Sequence, residues 1–274
     1  MRRAFELIDG ERYPIDRLDS PEGRALVERC RSQLRDAGAC ELPGFVRPDV
    51  VSELSAEASA LVPAAHHHEG KATPYLEIPE PGWPEDHPRQ SWNPFSLAAI
   101  AYDRIPEKSP LRTLYDWEPL VAFLAAALGK ERLYRYDDPL GALSLNVMED
   151  GDECEWHFDQ ADFVVSVALQ DADEGGDFLY VPMIRSPEDE NYAGVRALLE
   201  GRTEPTCIPM TPGTLLLFEG RHSIHCVSPC RGAKSRLVAL LAYDTEPGTC
   251  ASELLQQSRY GRVQRPAGEA GRDA

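Results

Sequence analysis

Two hydrophobic periods divide the chain. In its first half apolar residues recur at helical spacing, as in the stripe of Leu26, Val27, Cys30 and Leu34. Such spacing turns one face of a helix toward a core. Ser20-Pro21-Glu22 supplies an N-cap with proline at the first helical position, and Gly38 supplies a stop. The pattern therefore predicts a helix between them, a second over Asp49–Leu61, and a third over Asp116–Leu128 closed by Gly129. From Ala142 onward the runs become short, apolar or alternating: Ala142–Met148, Phe163–Gln170, Asp177–Pro182, Thr214–Phe218, Ser223–Ser228 and Arg236–Tyr243. Turn signals such as Glu174-Gly175-Gly176 and Pro212-Gly213 separate them, and one helix, about Asp189–Leu199, interrupts them.

Several short strands at this spacing predict a β-sandwich or barrel, so the fold class is α+β with helices packed on a double-sheet core. The expected organisation is one domain over 1–262, with a helical front (1–134), a β-core (135–245) and a C-terminal helix (246–262). Residues 263–274 read as a frayed tail. Residues 63–94 carry neither period and are rich in Pro, His and aromatics. A segment of that length is expected to be a long loop that covers or binds something.

Charge narrows the function. The 274 residues include 28 Lys and Arg against 46 Asp and Glu, a net charge of −18, and no basic run. Nucleic-acid binding needs a basic face, so that class is disfavoured. The longest apolar stretch, Leu120–Leu128, is too short to span a bilayer, and Glu6 and Asp9 interrupt the N-terminus before a signal-peptide core can form. Seven cysteines with no Cys-x-x-Cys fit reduced thiols in a cytoplasm. The expectation is a cytoplasmic protein acting on a small molecule, with monomer or homodimer left open.

The informative segment is Trp156-His157-Phe158-Asp159. On a strand, residues two apart share a face, so His157 and Asp159 can reach one metal ion. The triplet alone is weak, since His67-x-Glu69 is a second instance. Its position among the strands, with His225 on a later strand and Arg236 opening another, distinguishes it. Two imidazoles and a carboxylate form the facial triad of non-heme Fe(II) sites. An arginine entering a β-core needs an anionic partner, which a dicarboxylate co-substrate supplies through a bidentate pair.

These segments, WHFD, GRHSIHCVSP and KSRLVALLAYD, resemble the Fe(II)/2-oxoglutarate-dependent oxygenases. YRYDDPLG, GGDFLYVP and ENYAGVRALLEG are similar to one branch of them, the free-amino-acid hydroxylases and related radical halogenases. The resemblance implies a double-stranded β-helix (jelly-roll, cupin-like) core and Fe(II), 2-oxoglutarate and O2 as the reacting set. It implies His157, Asp159 and His225 as the catalytic metal ligands, with Arg236 gripping the distal carboxylate of 2-oxoglutarate. In the halogenases a small residue stands where this chain has Asp159, so hydroxylation with release of succinate and CO2 is implied. Desaturation, halogenation and a non-catalytic sensor are the alternatives. Cys226 and Cys230 depart from the basic and apolar residues of the relatives.

The implied substrate is a small free amino acid, basic or urea-bearing (lysine, arginine, citrulline). Candidate substrate contacts are Arg89 as a carboxylate clamp, Asn146, Gln160 and Asp162 beside the ligands, and Asp244 as a receiver of the amine. Trp92 and Trp156 either roof the site or fill core. The His66-His67-His68 run reads as solvated loop, and His222 as a residue behind the ligands or on the surface.

Overall fold

A computed structural model describes residues 2–78 and 81–266. The strands, in chain order, are β1 (Ala39–Leu42), β2 (His66–Ala72), β3 (Asn93–Ile100), β4 (Tyr134–Arg135), β5 (Leu143–Met148), β6 (Glu153–His157) and β7 (Val164–Gln170). They continue with β8 (Phe178–Val181), β9 (Thr206–Ile208), β10 (Leu215–Phe218), β11 (Ile224–Val227), β12 (Arg236–Leu241) and β13 (Tyr243–Asp244). The helices are α1 (Pro21–Ala37), α2 (Pro48–Leu61), α3 (Pro110–Tyr115), α4 (Glu118–Ala127), α5 (Tyr192–Leu199) and α6 (Glu253–Tyr260).

Eleven strands form one curled antiparallel sheet in the order β1-β10-β7-β12-β5-β3-β6-β11-β8-β9, with β2 added to β3. The curl turns at β3. Its second half pairs with β5 (Ala98 opposite Val147), and its first half pairs with β6 (Phe95 opposite Cys154). One strand thus belongs to both walls of the jelly roll. α1 begins as its sequence predicts, with the Ser20 hydroxyl accepting from Gly23 N at 3.0 Å, and ends on Gly38 in the left-handed region. The stripe Leu26, Cys30 and Leu34 is buried, as are Val50, Leu54 and Ala58 of α2. These faces share one core with Leu145, Val147, Val165, Val167, Leu215 and Leu237 of the sheet. Burying a side chain of this size contributes about 1.5–3 kcal/mol.

The front half is less helical than its periodicity predicts. It donates β1, β2 and β3 to the sheet, and the segment expected as a loop contains all of β2. The histidine run lies on that strand. His67 Nε2 sits 2.9 Å from Asp152 Oδ1, and His68 bonds Ser258 at 3.0 Å and packs on Phe95. Its polar sequence, HHHEGKA, hides the strand because β2 is half-exposed and has no buried face to impose alternation. The last predicted strand stops at Leu241, and Tyr243–Asp244 pair with β4 in a separate two-stranded sheet. α6 falls within the expected C-terminal helix. Of the expected tail, residues 267–274 lie outside the described residues. Among the described residues no helix is long and apolar enough to cross a membrane.

Candidate metal centre

His157 and His225 face each other across a strand pair, as Cα partners on β6 and β11, with ring centroids 4.2 Å apart. β6 ends at His157, so Asp159 is not on the strand that carries the histidine, contrary to the expectation that both share one. Two backbone bonds turn it inward instead: Phe158 N donates to Pro74 O at 2.7 Å and Asp159 N donates to Gly220 O at 3.0 Å. Asp159 Oδ1 then lies 3.6 Å from His225 Nε2 and 4.0 Å from His157 Nε2. One ligand atom from each of the three lies within 4.8 Å of the others.

The surroundings fix which atoms face inward. His157 Nδ1 donates to the Glu155 carbonyl at 2.8 Å and His225 Nδ1 to the Ser223 carbonyl at 3.1 Å, leaving both Nε2 atoms unprotonated toward Asp159 in the neutral imidazoles. Phe178 stacks on His225 at 5.4 Å and Phe218 meets it edge-on at 4.8 Å, which holds the ring plane. Burial pushes His225 down to about 4, against the pull of the Asp159 carboxylate. Burial also opposes protonation of His157, but the Cys154 sulfur and the Asp159 carboxylate outweigh it and hold His157 up to about 10. Gly220 leaves the space the carboxylate occupies, for a Cβ there would overlap Asp159. Two imidazole nitrogens and one carboxylate oxygen, pre-oriented in this way, fit Fe(II).

Arg236 opens β12 opposite Met148 and is only 8% exposed. Its Nη1 approaches Met148 Sδ at 3.9 Å, and no carboxylate of the described residues forms an ion pair with it. Burial lowers its pKa, with Cys230, Asp171, Cys154 and Asp177 pulling the other way. Gly176, at φ +70°, gives the side chain its room, since a Cβ there would stand 2.8 Å from Arg236 Cδ. A buried guanidinium in this state is suited to an external carboxylate.

A cavity of about 500 Å³ lies over His157. Gln160 and Trp92 line it. Asn146 stands behind its wall, its Oδ1 accepting from the cavity-lining Arg259 Nη2 at 2.7 Å. Other expected substrate residues are placed elsewhere. Asp162 is exposed and ion-paired with Arg221 at 2.6 Å. Asp244 accepts from Thr245 N and Glu246 N as a turn cap beyond the main sheet. Arg89 lines a neighbouring pocket with Tyr75 and Tyr192, and is already engaged by Glu77, Glu190 and the Tyr192 hydroxyl. Trp156, by contrast, lines the cavity over His157 and also packs against the Phe158 cluster. Sequence reasoning missed Gly220, Glu155 and Arg259. Glu155 was findable, because it precedes His157 by two on one strand. Nothing in the sequence of α6 marks Arg259 as facing the cavity.

Comparison with known proteins agrees with this fold. The sequence family described as Halogenase D matches residues 23–257. No curated protein sequence matches the chain. The fold is similar to AviO1 from Streptomyces viridochromogenes Tue57, at 20% identity and a TM-score of 0.55 over 84% of this chain and 97% of that one. It is similar to the non-heme alpha-ketoglutarate-dependent epimerase SnoN from nogalamycin biosynthesis, at 18% and 0.53 over 84% and 92%. An oxidoreductase of the 2OG-Fe(II) oxygenase family from Burkholderia pseudomallei gives 17% and 0.50 over 80% and 91%. With its family matched over most of its length and its triad set in a jelly roll, the chain belongs to the Halogenase D family within the 2OG-Fe(II) oxygenase fold.

Proposed function

We propose that the protein is an Fe(II)/2-oxoglutarate-dependent dioxygenase that hydroxylates a small free amino acid, basic or urea-bearing. The observation that carries this reading is Asp159, a third protein ligand held against two histidines, beside an arginine that lacks an anion. His157, Asp159 and His225 would hold Fe(II), and Arg236 would hold the far carboxylate of 2-oxoglutarate. Iron and 2-oxoglutarate, when bound, supply the oxidising chemistry, in which O2 is consumed, 2-oxoglutarate leaves as succinate and CO2, and one oxygen atom goes to the substrate carbon.

The chain's own groups do the positioning. The Glu155 and Ser223 carbonyls fix the ring directions, so the imidazoles need not turn when metal binds and His157 has only its Nε2 proton to release. The Gly220 gap sets where the carboxylate oxygen stands. Phe178 and Phe218 wall His225 on the protein side, leaving the cavity over His157 as the face on which a substrate C–H can be presented. Such placement accounts for much of the rate in chemistry of this kind.

The Halogenase D match favours a second reading, chlorination by the same metal. Asp159 opposes it, since the related halogenases carry a small residue there and leave that coordination place for chloride. The test is to incubate Fe(II)-loaded protein with 2-oxoglutarate, O2 and chloride across the twenty amino acids plus ornithine and citrulline. One amino acid is expected to gain one oxygen with matching succinate, and to lose that turnover in Asp159→Ala. A chlorinated product overturns the assignment.

A further inference from the structure

Two charged side chains on the cavity wall lack a charged partner. Arg259 of α6 lines the cavity with His157, and its Nη2 donates to the neutral Asn146 Oδ1 at 2.7 Å. Glu155 of β6 lines the same cavity, partly buried, two residues before His157 and so on the same face of the strand. Among the described residues neither forms an ion pair. The other charges at the cavity are engaged or face out: Glu77 pairs with Arg89, and Lys71 is exposed on the outer hairpin.

We propose that Arg259, steadied by Asn146, holds the substrate's carboxylate, and that Glu155 holds its ammonium or guanidinium group. This rests on the amino-acid hydroxylase reading and assigns the two ends of the substrate. An arginine has five N–H donors in a planar fork, and Asn146 occupies one edge, leaving the rest to bind a carboxylate. The fork stands on an anchored element. Buried Asp138 accepts from Gln256 Nε2 of α6 and from Leu140, Gly141 and Ala251 N, and Ser258 bonds His68 on β2. A partly buried cation and a partly buried anion in one cavity are both relieved by a zwitterion, because each then regains the partner that desolvation removed. A residue inside a peptide has no free carboxylate to offer Arg259.

The test is anaerobic calorimetry on the full chain loaded with Fe(II) and 2-oxoglutarate. The twenty amino acids, ornithine and citrulline are titrated first. The tightest binder is then compared with its carboxamide and with the isostere lacking its cationic group. The wild type should prefer the acid to its amide by about 10–100-fold. Arg259→Gln should abolish that preference, Arg259→Lys should keep part of it, and Glu155→Gln should abolish only the preference for the cationic group. All variants should bind 2-oxoglutarate as the wild type does and melt within a few degrees of it. An unchanged acid-over-amide preference in Arg259→Gln overturns the proposal. So does failure of every free amino acid to bind while the wild type still releases succinate uncoupled, which leaves the oxygenase reading standing. Absence of succinate with iron bound overturns both.

Discussion

Gly220 lies so close to the Asp159 carboxylate that no side chain fits between them, and its own carbonyl receives the Asp159 N–H at 3.0 Å. Asp159 is thus positioned in part by the turn between β10 and β11, far from it in sequence. Its place depends on an absent methyl group.

Gly220→Ala should therefore move the carboxylate and weaken metal binding by roughly 10–100-fold, as loss of a ligand's supporting contacts does. The backbone at Gly220 is not in the left-handed region, so the fold should persist. Titration of the metal-free protein with Fe(II) or Co(II), beside its melting curve, checks this. Wild-type affinity in the variant would contradict it.

Arg236 should behave in the opposite sense. Arg236→Met should leave metal affinity within a few-fold of wild type and raise the 2-oxoglutarate Kd by about 10–100-fold, the value of a hydrogen-bonded charge. Without 2-oxoglutarate the variant should melt no lower than wild type, because it removes a buried cation that lacks a counter-ion. Calorimetry and melting with and without 2-oxoglutarate test both halves.

Gly176→Ala is expected to reproduce the Arg236 effect without touching the arginine. Its φ of +70° disfavours any side chain, and the added Cβ crowds Arg236 Cδ and the Cys230 sulfur. Stability should fall by about 1–3 kcal/mol from backbone strain, and 2-oxoglutarate affinity should fall with metal affinity retained. Parallel metal and 2-oxoglutarate titrations separate the two.

Asp138, 2% exposed, accepts four hydrogen bonds: Gln256 of α6 and Ala251 just before it donate two, and Leu140 N and Gly141 N of its own turn donate the others. Asp138→Ala orphans these donors, at about 1–3 kcal/mol for each that stays buried. The melting temperature should drop markedly, and amino-acid affinity should be lost through displacement of Arg259. Asp138→Asn, which keeps one carbonyl oxygen, should fall between. Amino-acid titration and melting curves order the three proteins.

The periodic part of this molecule is legible in its sequence, and the cross-chain part is not. Leu26, Cys30 and Leu34 announce α1 because one buried face imposes its spacing, and the apolar runs announce β5, β7, β10 and β12 because both their faces are buried. β2 escapes because both its faces are half-wet. His157, Asp159 and His225 are readable from residue type and strand context. That β6 ends at His157 is not, since bonds to Pro74 and Gly220 decide it. Arg89 and Asp244 were plausible by charge alone, and the structure engages both elsewhere. Arg259 reaches the cavity only because α6 packs on β2 and β3, a contact between distant segments.

The most direct test of the central claim is the product formed by Fe(II)-loaded protein with 2-oxoglutarate, O2 and excess chloride in the presence of the amino acid that binds best. One added oxygen in the amino acid and an equal amount of succinate are expected, both lost in Asp159→Ala. A product with chlorine in place of hydrogen, or no succinate from protein that demonstrably holds iron, would contradict it.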